Sequence, residues 1–166
     1  FIENHDEEPA LTAFGREKSL AAAVAVATLR GMRFFHFGQL FGLTHRIPIH
    51  LDRCAFRTDA ALKRFYGKLL KIADHPAFHG GEWALADALA VSAEDKTNAN
   101  ILAWSWTQRR TMKIVVINYS DCVSRARIPV RVSGYEKNFI CYDELAERFY
   151  QAPADDAAKN GLFVEL

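Results

Sequence analysis

Apolar residues recur along this chain with two different periods, and the change of period divides the sequence in two. From Glu17 to Arg30 an alanine-rich stretch without Gly or Pro predicts a helix, and Gly31 supplies its end. From Ala60 to Ala73 the apolar residues follow helical spacing with lysines opposite, and Thr58-Asp59 offers an amino-terminal cap. His75-Pro76 ends this second helix.

The second half of the chain shows period-two alternation and runs of β-branched residues, which predict strands. The strand candidates, separated by turn-rich gaps, are Glu82–Leu85, Asn100–Trp106, Met112–Tyr119, Ala126–Val132, Asn138–Tyr142 and Gly161–Leu166. Short strands at this density predict an antiparallel sandwich, in which the last segment is a penultimate strand that has lost its partner. Trp104 and Trp106 share one strand face, so a place in the core is favoured over stacking on sugars.

The start of the chain carries the candidate chemistry. The apolar run Phe1-Ile2 stops abruptly at Asn4-His5-Asp6. With the helix after it and a second apolar run from Met32 to Gln39, the order is strand, helix, strand, as in a parallel barrel. Polar residues at the carboxyl end of a barrel strand serve catalysis or substrate binding. The alternative interpretation is an acidic turn in which Asp6, Glu7 and Glu8 cap the next helix.

A second motif lies in register with the first. Arg30-Gly31, Phe35-His36-Phe37, Gly38-Gln39 and Gly42 follow the predicted helix. Together with Asn4-His5-Asp6 they resemble the α-amylase family of retaining glycoside hydrolases, whose seventh barrel strand ends in Asn-His-Asp and whose eighth carries a similar glycine and aromatic pattern. The segment 115–121 also resembles a strand end in the domain that follows the family's barrel.

The resemblance implies both a fold and a function. It implies the carboxyl-terminal portion of a (β/α)₈ TIM barrel over residues 1–77 and an antiparallel β-sandwich domain over residues 78–166. It implies part of a hydrolase or transglycosylase that acts on α-glucans or related α-glucosides. Asp6 would stabilise the transition state, and His5 and Asn4 would bind the substrate.

The resemblance also implies that essential groups lie outside this sequence. Retaining glycosidases need a nucleophile and a general acid whose carboxyl groups stand about 5 Å apart. The family carries these on the fourth and fifth strands, upstream of Phe1. We therefore expect the chain alone to be inactive, with the missing amino-terminal barrel portion as a partner. A non-catalytic carbohydrate-binding or interaction module, or a degenerate fragment, are the alternatives.

Composition narrows the remaining classes. The 166 residues fall short of the roughly 250 that a full barrel needs. A formal net charge of +1 with dispersed basic residues argues against a nucleic-acid partner, and the lack of a long apolar run argues against a membrane partner. Cys54, Cys122 and Cys141 lack metal-site spacing. His75 and His79 flank Pro76 without an intervening carboxylate, so this pair is not expected to bind a metal. We expect no cofactor in this chain. Whether the complete enzyme binds calcium cannot be read from the sequence.

Overall fold

The computed structural model describes residues 1–47, 50, 56–131 and 137–166. These form two compact units, Phe1–Phe78 and His79–Leu166. Cys54 lies outside the described residues, as does Val132 at the end of a predicted strand.

The first unit is helical. Its helices are α1 (Ala10–Phe14), α2 (Arg16–Thr28), α3 (Phe37–Phe41), α4 (Ala60–Ala73) and α5 (Ala77–Gly80). The two long helices predicted from the sequence are confirmed as α2 and α4. Asp59 caps α4, as predicted, since its carboxylate accepts hydrogen bonds from the amides of Ala61 and Leu62. Among the described residues, no helix has the length and apolar character needed to cross a membrane.

Helices α2 and α4 supply the core of the first unit. The buried cluster has small residues from α2 and large residues from α4: Ala23, Ala27, Leu62, Tyr66, Leu69 and Ala73. The alanines of α2 present little bulk, so the large side chains of α4 can pack closely against it. Ile2 and Phe35, from the segments that precede α1 and α3, pack against the same cluster.

The strands predicted at Phe1-Ile2 and from Met32 to Gln39 are wrong as regular structure. No strand is assigned among the described residues of the first unit, and Phe37 already begins α3. A strand is defined by the hydrogen bonds of its backbone to a neighbour, and apolar runs identify only a segment suited to burial. Here Ile2 and Phe35 are partly buried against the helices without forming a ladder.

The second unit consists mainly of antiparallel strands. They are β1 (Glu82–Ala86), β2 (Ile101–Gln108), β3 (Thr111–Asn118), β4 (Arg125–Ile128), β5 (Asn138–Asp143), β6 (Arg148–Pro153) and β7 (Leu162–Glu165), with a 3₁₀ turn at Thr97–Asn100 and helix α6 (Ala154–Asn160). They form a three-stranded sheet β1-β2-β3 and the pairs β4-β7 and β5-β6. All of these pairings are antiparallel, as predicted.

This unit departs from the sequence prediction in several places; helix α6, for example, was not predicted. The terminal segment has a partner after all, because β7 pairs with β4 from Arg125↔Glu165 to Ile128↔Leu162. Strand β6 was missed, and its burial explains why: most of its residues are exposed on both faces, so no apolar alternation marks it. The core prediction for the tryptophans is confirmed, with Trp104 and Trp106 buried in β2.

Candidate functional site

Asn4 shapes the turn that carries the candidate catalytic residues. Its side-chain oxygen accepts hydrogen bonds from the backbone amides of Asp6, at 2.8 Å, and Glu7, at 2.9 Å. This is an Asx-type turn, in which the side chain replaces a backbone acceptor. The turn leaves the side chains of His5 and Asp6 55% and 79% exposed, with His5 Nε2 3.2 Å from Asp6 Oδ2.

A buried carboxylate lies directly before this turn. The side chain of Glu3 is only 3% exposed, and both of its oxygens are engaged. Oε1 accepts a hydrogen bond from His36 Nδ1 at 2.8 Å, and Oε2 accepts one from the amide of Ala10 at 2.8 Å. The pair joins residues 33 positions apart, and the Ala10 bond satisfies an amide in the first turn of α1.

Gly38 makes room for this carboxylate. A Cβ atom at position 38 would lie 2.5 Å from Glu3 Oε1, closer than Cβ atoms pack, and 3.2 Å from His36 Nδ1, which is a tight contact. The glycine of the second sequence motif is therefore explained by a close approach of the backbone to the Glu3–His36 pair.

A small pocket opens beside the turn. Its lining includes Glu3, Asn4, His5 and Glu7 from the first segment, His36 and Gly38 around α3, and His45, Arg46 and Ile47 after it. Hydroxyl groups of a sugar bind to side chains of this kind, which offer both donors and acceptors. Asp6 is exposed next to the pocket residue His5.

Two other polar residues between Met32 and Gln39, Arg33 and Gln39, are not part of the pocket lining. Arg33 donates to the carbonyl oxygens of Ala73 at 3.0 Å and Phe78 at 2.5 Å, and desolvation lowers its pKa. Gln39 is buried and donates through Nε2 to the hydroxyl of Tyr66 at 3.0 Å. Burial is the main cause of the raised pKa of Tyr66. Both residues therefore hold the helices of the unit together.

Sequence reasoning missed Glu3 and assigned no partner to His36. The available signal was an acidic residue inside the apolar run Phe1-Ile2-Glu3, where a charge is costly unless it is paired. The partner could not be named, because it lies 33 residues away in an extended segment with several polar candidates.

The exposed carboxylates of Asp6 and of the pocket residue Glu7 can bind a ligand and stabilise positive charge, whereas both oxygens of Glu3 are already bound. Within the part of the chain that the structure describes, no cluster of three or more His, Cys, Asp or Glu residues is arranged to hold a metal ion. His75 accepts a hydrogen bond from the amide of Ala77 through Nδ1, which is a structural use of the ring.

The polar residues at the end of β3 have structural partners. Asn118 donates to the carbonyl oxygens of Cys122 at 2.7 Å and Leu166 at 3.1 Å, which fastens β7 near β3. Cys122 is an exposed free thiol whose pKa is lowered by hydrogen bonds from Ser120 and then Ser124. Cys141 is also free, and burial raises its pKa.

Comparisons with known proteins point to one family. No model of a protein family matches the sequence. An α-amylase of the archaeon Haloarcula japonica is 29% identical over 137 residues, which cover 81% of this chain and 20% of that protein. The chain thus spans about a fifth of the length of this relative.

Solved structures share the fold at low sequence identity. A maltogenic α-amylase from Thermotoga neapolitana superimposes with a TM-score of 0.75 at 15% identity, covering 99% of this chain and 37% of the other. An α-amylase of Anoxybacillus gives 0.66 at 15% identity, covering 99% and 34%. A debranching enzyme of Nostoc punctiforme gives 0.61 at 18% identity, covering 91% and 30%.

These matches confirm the resemblance to the α-amylase family that the sequence motifs indicate. The chain is similar in sequence to an α-amylase and similar in fold to parts of two α-amylases and a debranching enzyme.

Proposed function

We propose that this chain is the carboxyl-terminal part of an α-amylase-type retaining glycoside hydrolase or transglycosylase that acts on α-glucans or related α-glucosides. The likeness to α-amylases over 81% of the chain supports the class of enzyme. In the proposed arrangement, residues 1–77 complete a (β/α)₈ barrel and residues 78–166 form the β-sandwich domain that follows it. The missing amino-terminal barrel portion is then the partner of the first unit.

The exposed turn Asn4-His5-Asp6 carries the proposal for the site. Asp6 has a carboxylate that is 79% exposed, while the neighbouring Glu3 is buried and fixed. We assign Asp6 the role of binding the hydroxyls of the sugar ring at the cleavage point, more tightly as the ring acquires oxocarbenium-ion character. We assign His5 and Asn4 to substrate binding. His5 presents its exposed ring, and the side-chain oxygen of Asn4 also sets the turn that presents both residues.

This role does not by itself break a glycosidic bond. Retaining hydrolysis needs a nucleophile and a proton donor about 5 Å apart on opposite sides of the bond. Asp6 cannot supply both groups, Glu7 stands beside it on the same turn, and both oxygens of Glu3 are bound by His36 and Ala10. The carboxylates that cleave the bond therefore belong to the missing partner portion.

The test is a kinetic comparison in the complete enzyme that contains this chain. Asp6→Asn keeps the shape and one acceptor oxygen, but it removes the charge and replaces the second acceptor by a donor. We expect kcat on a maltooligosaccharide to fall by about a thousandfold and KM to change much less, because an interaction confined to the transition state is lost. His5→Ala should cost less.

The exposed Asp87 of the second unit provides the matched control. Asp87→Asn makes the same chemical change at a position outside the site, so kcat should stay at the parent value. If Asp6→Asn left kcat within about threefold of the parent, the role assigned to Asp6 would be withdrawn.

One observation favours the second candidate, a carbohydrate-binding module without catalysis. Tyr142 of β5 and Phe149 of β6 face each other across the ladder with ring centroids 4.7 Å apart, and they are 48% and 75% exposed. Aromatic faces of this kind stack on sugars. The test is binding of the chain to insoluble starch. Loss of binding in Phe149→Ala, with binding kept in the control Leu85→Ala, would favour the carbohydrate-binding module.

A further inference from the structure

We propose that Glu3 is a positioning residue for the Asn4-His5-Asp6 turn, acting through its buried bonds to His36 and Ala10. The inference rests on the proposed function, because it concerns how the group assigned to the transition state is held in place. Glu3 itself touches no substrate in this proposal.

Glu3 ties three separate segments together at one point. It belongs to the segment that leads into the turn, it binds the amide of Ala10 in α1, and it binds the ring of His36 just before α3. Asn4, which builds the turn through the amides of Asp6 and Glu7, is the next residue along the chain. The anchored position is therefore separated from Asp6 by only two residues.

The cost of this arrangement argues that stability alone does not account for it. Removing a carboxylate from water is unfavourable, and hydrogen bonds to buried partners seldom recover more than that cost. An apolar side chain at position 3 would continue the run Phe1-Ile2 and pack with Ile2 against the helices. The carboxylate instead fixes the orientation of the Glu3 side chain, because a hydrogen bond of 2.8 Å holds each of its two oxygens.

The surroundings leave the carboxylate no room to move. Gly38 lies so close that even a Cβ atom there would come within 2.5 Å of Oε1. The His36 ring is held in turn by the 2.8 Å hydrogen bond between its Nδ1 and Glu3 Oε1. His36 lines the pocket beside His5, with its side chain 27% exposed. The Glu3–His36 pair therefore fixes both a lining residue of the pocket, His36, and the residue that directly precedes the turn, Glu3.

Placement at this precision matters for catalysis. A displacement of about 1 Å in a group that acts on the transition state can cost around a hundredfold in rate. Asp6 is exposed, and Asn4 supplies its local turn, so nothing else among the contacts described for residues 4–7 ties the turn to the buried part of the protein. We infer that Glu3 provides this tie.

The first experiment uses Glu3→Met in the complete enzyme, which keeps the side-chain volume and removes both bonds. We expect kcat to fall by about 10- to 100-fold with a much smaller change in KM. Glu3→Gln should give a smaller loss, because its one oxygen can still accept from Ala10 and its amide can donate to the other tautomer of His36. Glu8→Met, at an exposed neighbouring position, is the control and should leave kcat unchanged.

A double variant separates positioning from a general structural role. If Glu3 acts through Asp6, then Glu3→Met should cost less than about twofold once Asp6→Asn is present. A loss of the same size in both backgrounds would show that Glu3 acts independently of Asp6 and would overturn the proposal. Gly38→Ala crowds the carboxylate without removing it, so it should also lower kcat only when Asp6 is present. This variant replaces Glu3→Met in the test if Glu3→Met does not fold.

A measurement without substrate keeps this inference distinct from the proposed function. In NMR spectra of the 166-residue chain, Glu3→Met should shift the amide signals of Asp6 and Glu7, which donate to Asn4, whereas Glu8→Met should leave Asn4-centred signals in place. If Asp6→Asn had no kinetic effect but these shifts appeared, the catalytic role would fail and the tie would stand. Unmoved signals in Glu3→Met would refute the tie itself.

Discussion

Arg16, the first residue of α2, donates from Nη1 to Asp59 Oδ2 at 2.7 Å, and Asp59 is the residue that caps α4. The other oxygen of the same carboxylate accepts from the amides of Ala61 and Leu62. One side chain therefore both starts the longer helix of the first unit and links it to the helix against which it packs.

This double use predicts a pH dependence of stability for the first unit. The hydrogen bond from Arg16, followed by that from the Leu62 amide, lowers the pKa of Asp59 from 3.8 to about 2. Because the folded-state pKa lies below the unfolded one, the stabilisation is complete above about pH 4 and is lost as the pH falls towards 2. Asp59→Asn, which keeps a capping oxygen, should flatten the stability profile in this window.

The measurement is the unfolding transition of the chain at a series of pH values between about 2 and 5, followed by circular dichroism of the helices. Asp87→Asn, at an exposed position in the second unit, is the control and should leave the slope of the profile unchanged. A profile that keeps its slope in Asp59→Asn would show that other carboxylates dominate acid unfolding.

The part of this link that is local in sequence was predictable, and the part that is not was missed. Thr58-Asp59 before an apolar stretch of helical period identified the cap and α4, because capping involves residues two and three positions apart. The bond from Arg16 spans 43 positions and leaves no trace in the pattern. The same contrast separates the Asn4 turn, whose bonds span two and three residues, from the Glu3–His36 pair.

The sequence pattern predicted the buried strands β2 and β3 but missed the exposed strand β6. β2 and β3 were predictable because burial on both sides selects β-branched and aromatic residues, as in Trp104 and Val115. The hairpin partner β6 has exposed residues such as Phe149 and Tyr150, and only its register with β5 defines it as a strand. The apolar runs in the first unit gave the opposite error, since burial occurred without pairing.

A pair of glycine substitutions in the first unit should change stability in opposite directions. Gly42 has φ +74°, and a Cβ atom there would lie 2.7 Å from Leu62 Cδ1 and 2.8 Å from Asp59 Cβ. Gly42→Ala should therefore destabilise the unit by about 1–3 kcal/mol. Gly67 lies on the exposed side of α4 with nothing near its Cβ position, so Gly67→Ala should stabilise by about 0.5–1 kcal/mol.

Denaturant unfolding of the two variants beside the parent chain tests this prediction. The substitution is chemically identical at both positions, so each variant is the control for the other. A Gly42→Ala variant as stable as the parent would mean that the end of α3 adopts another conformation than the left-handed one observed here.

The purified 166-residue chain should have no glycosidase activity on starch or on p-nitrophenyl α-glucosides. Glu3 is buried and bonded through both oxygens, and the exposed acids Asp6 and Glu7 are neighbours on one turn, so they are not placed on opposite sides of a glycosidic bond as the nucleophile and proton donor of a retaining mechanism must be. The check is product release at high protein concentration, with the Asp6→Ala chain assayed in parallel. Turnover that Asp6→Ala abolishes would show that the chain carries a complete site.

Hydrogen exchange should divide the chain according to its hydrogen-bonded structure. Strand β2 lies between β1 and β3, so its amides alternate between two neighbours within a buried sheet. Residues 32–36 form no ladder, and Met32 is 93% exposed. We expect β2 amides to exchange at least about a hundredfold more slowly than those of residues 32–36, because exchange in residues 32–36 needs no cooperative opening.

The rates should be measured at several protein concentrations by mass spectrometry. Protection of residues 32–36 equal to that of β2 at every concentration would show that this segment has a full set of strand partners within the chain, and the expectation would be wrong. Protection that rises with concentration would instead mean that the exposed apolar segments pair between copies, as unpartnered edges do.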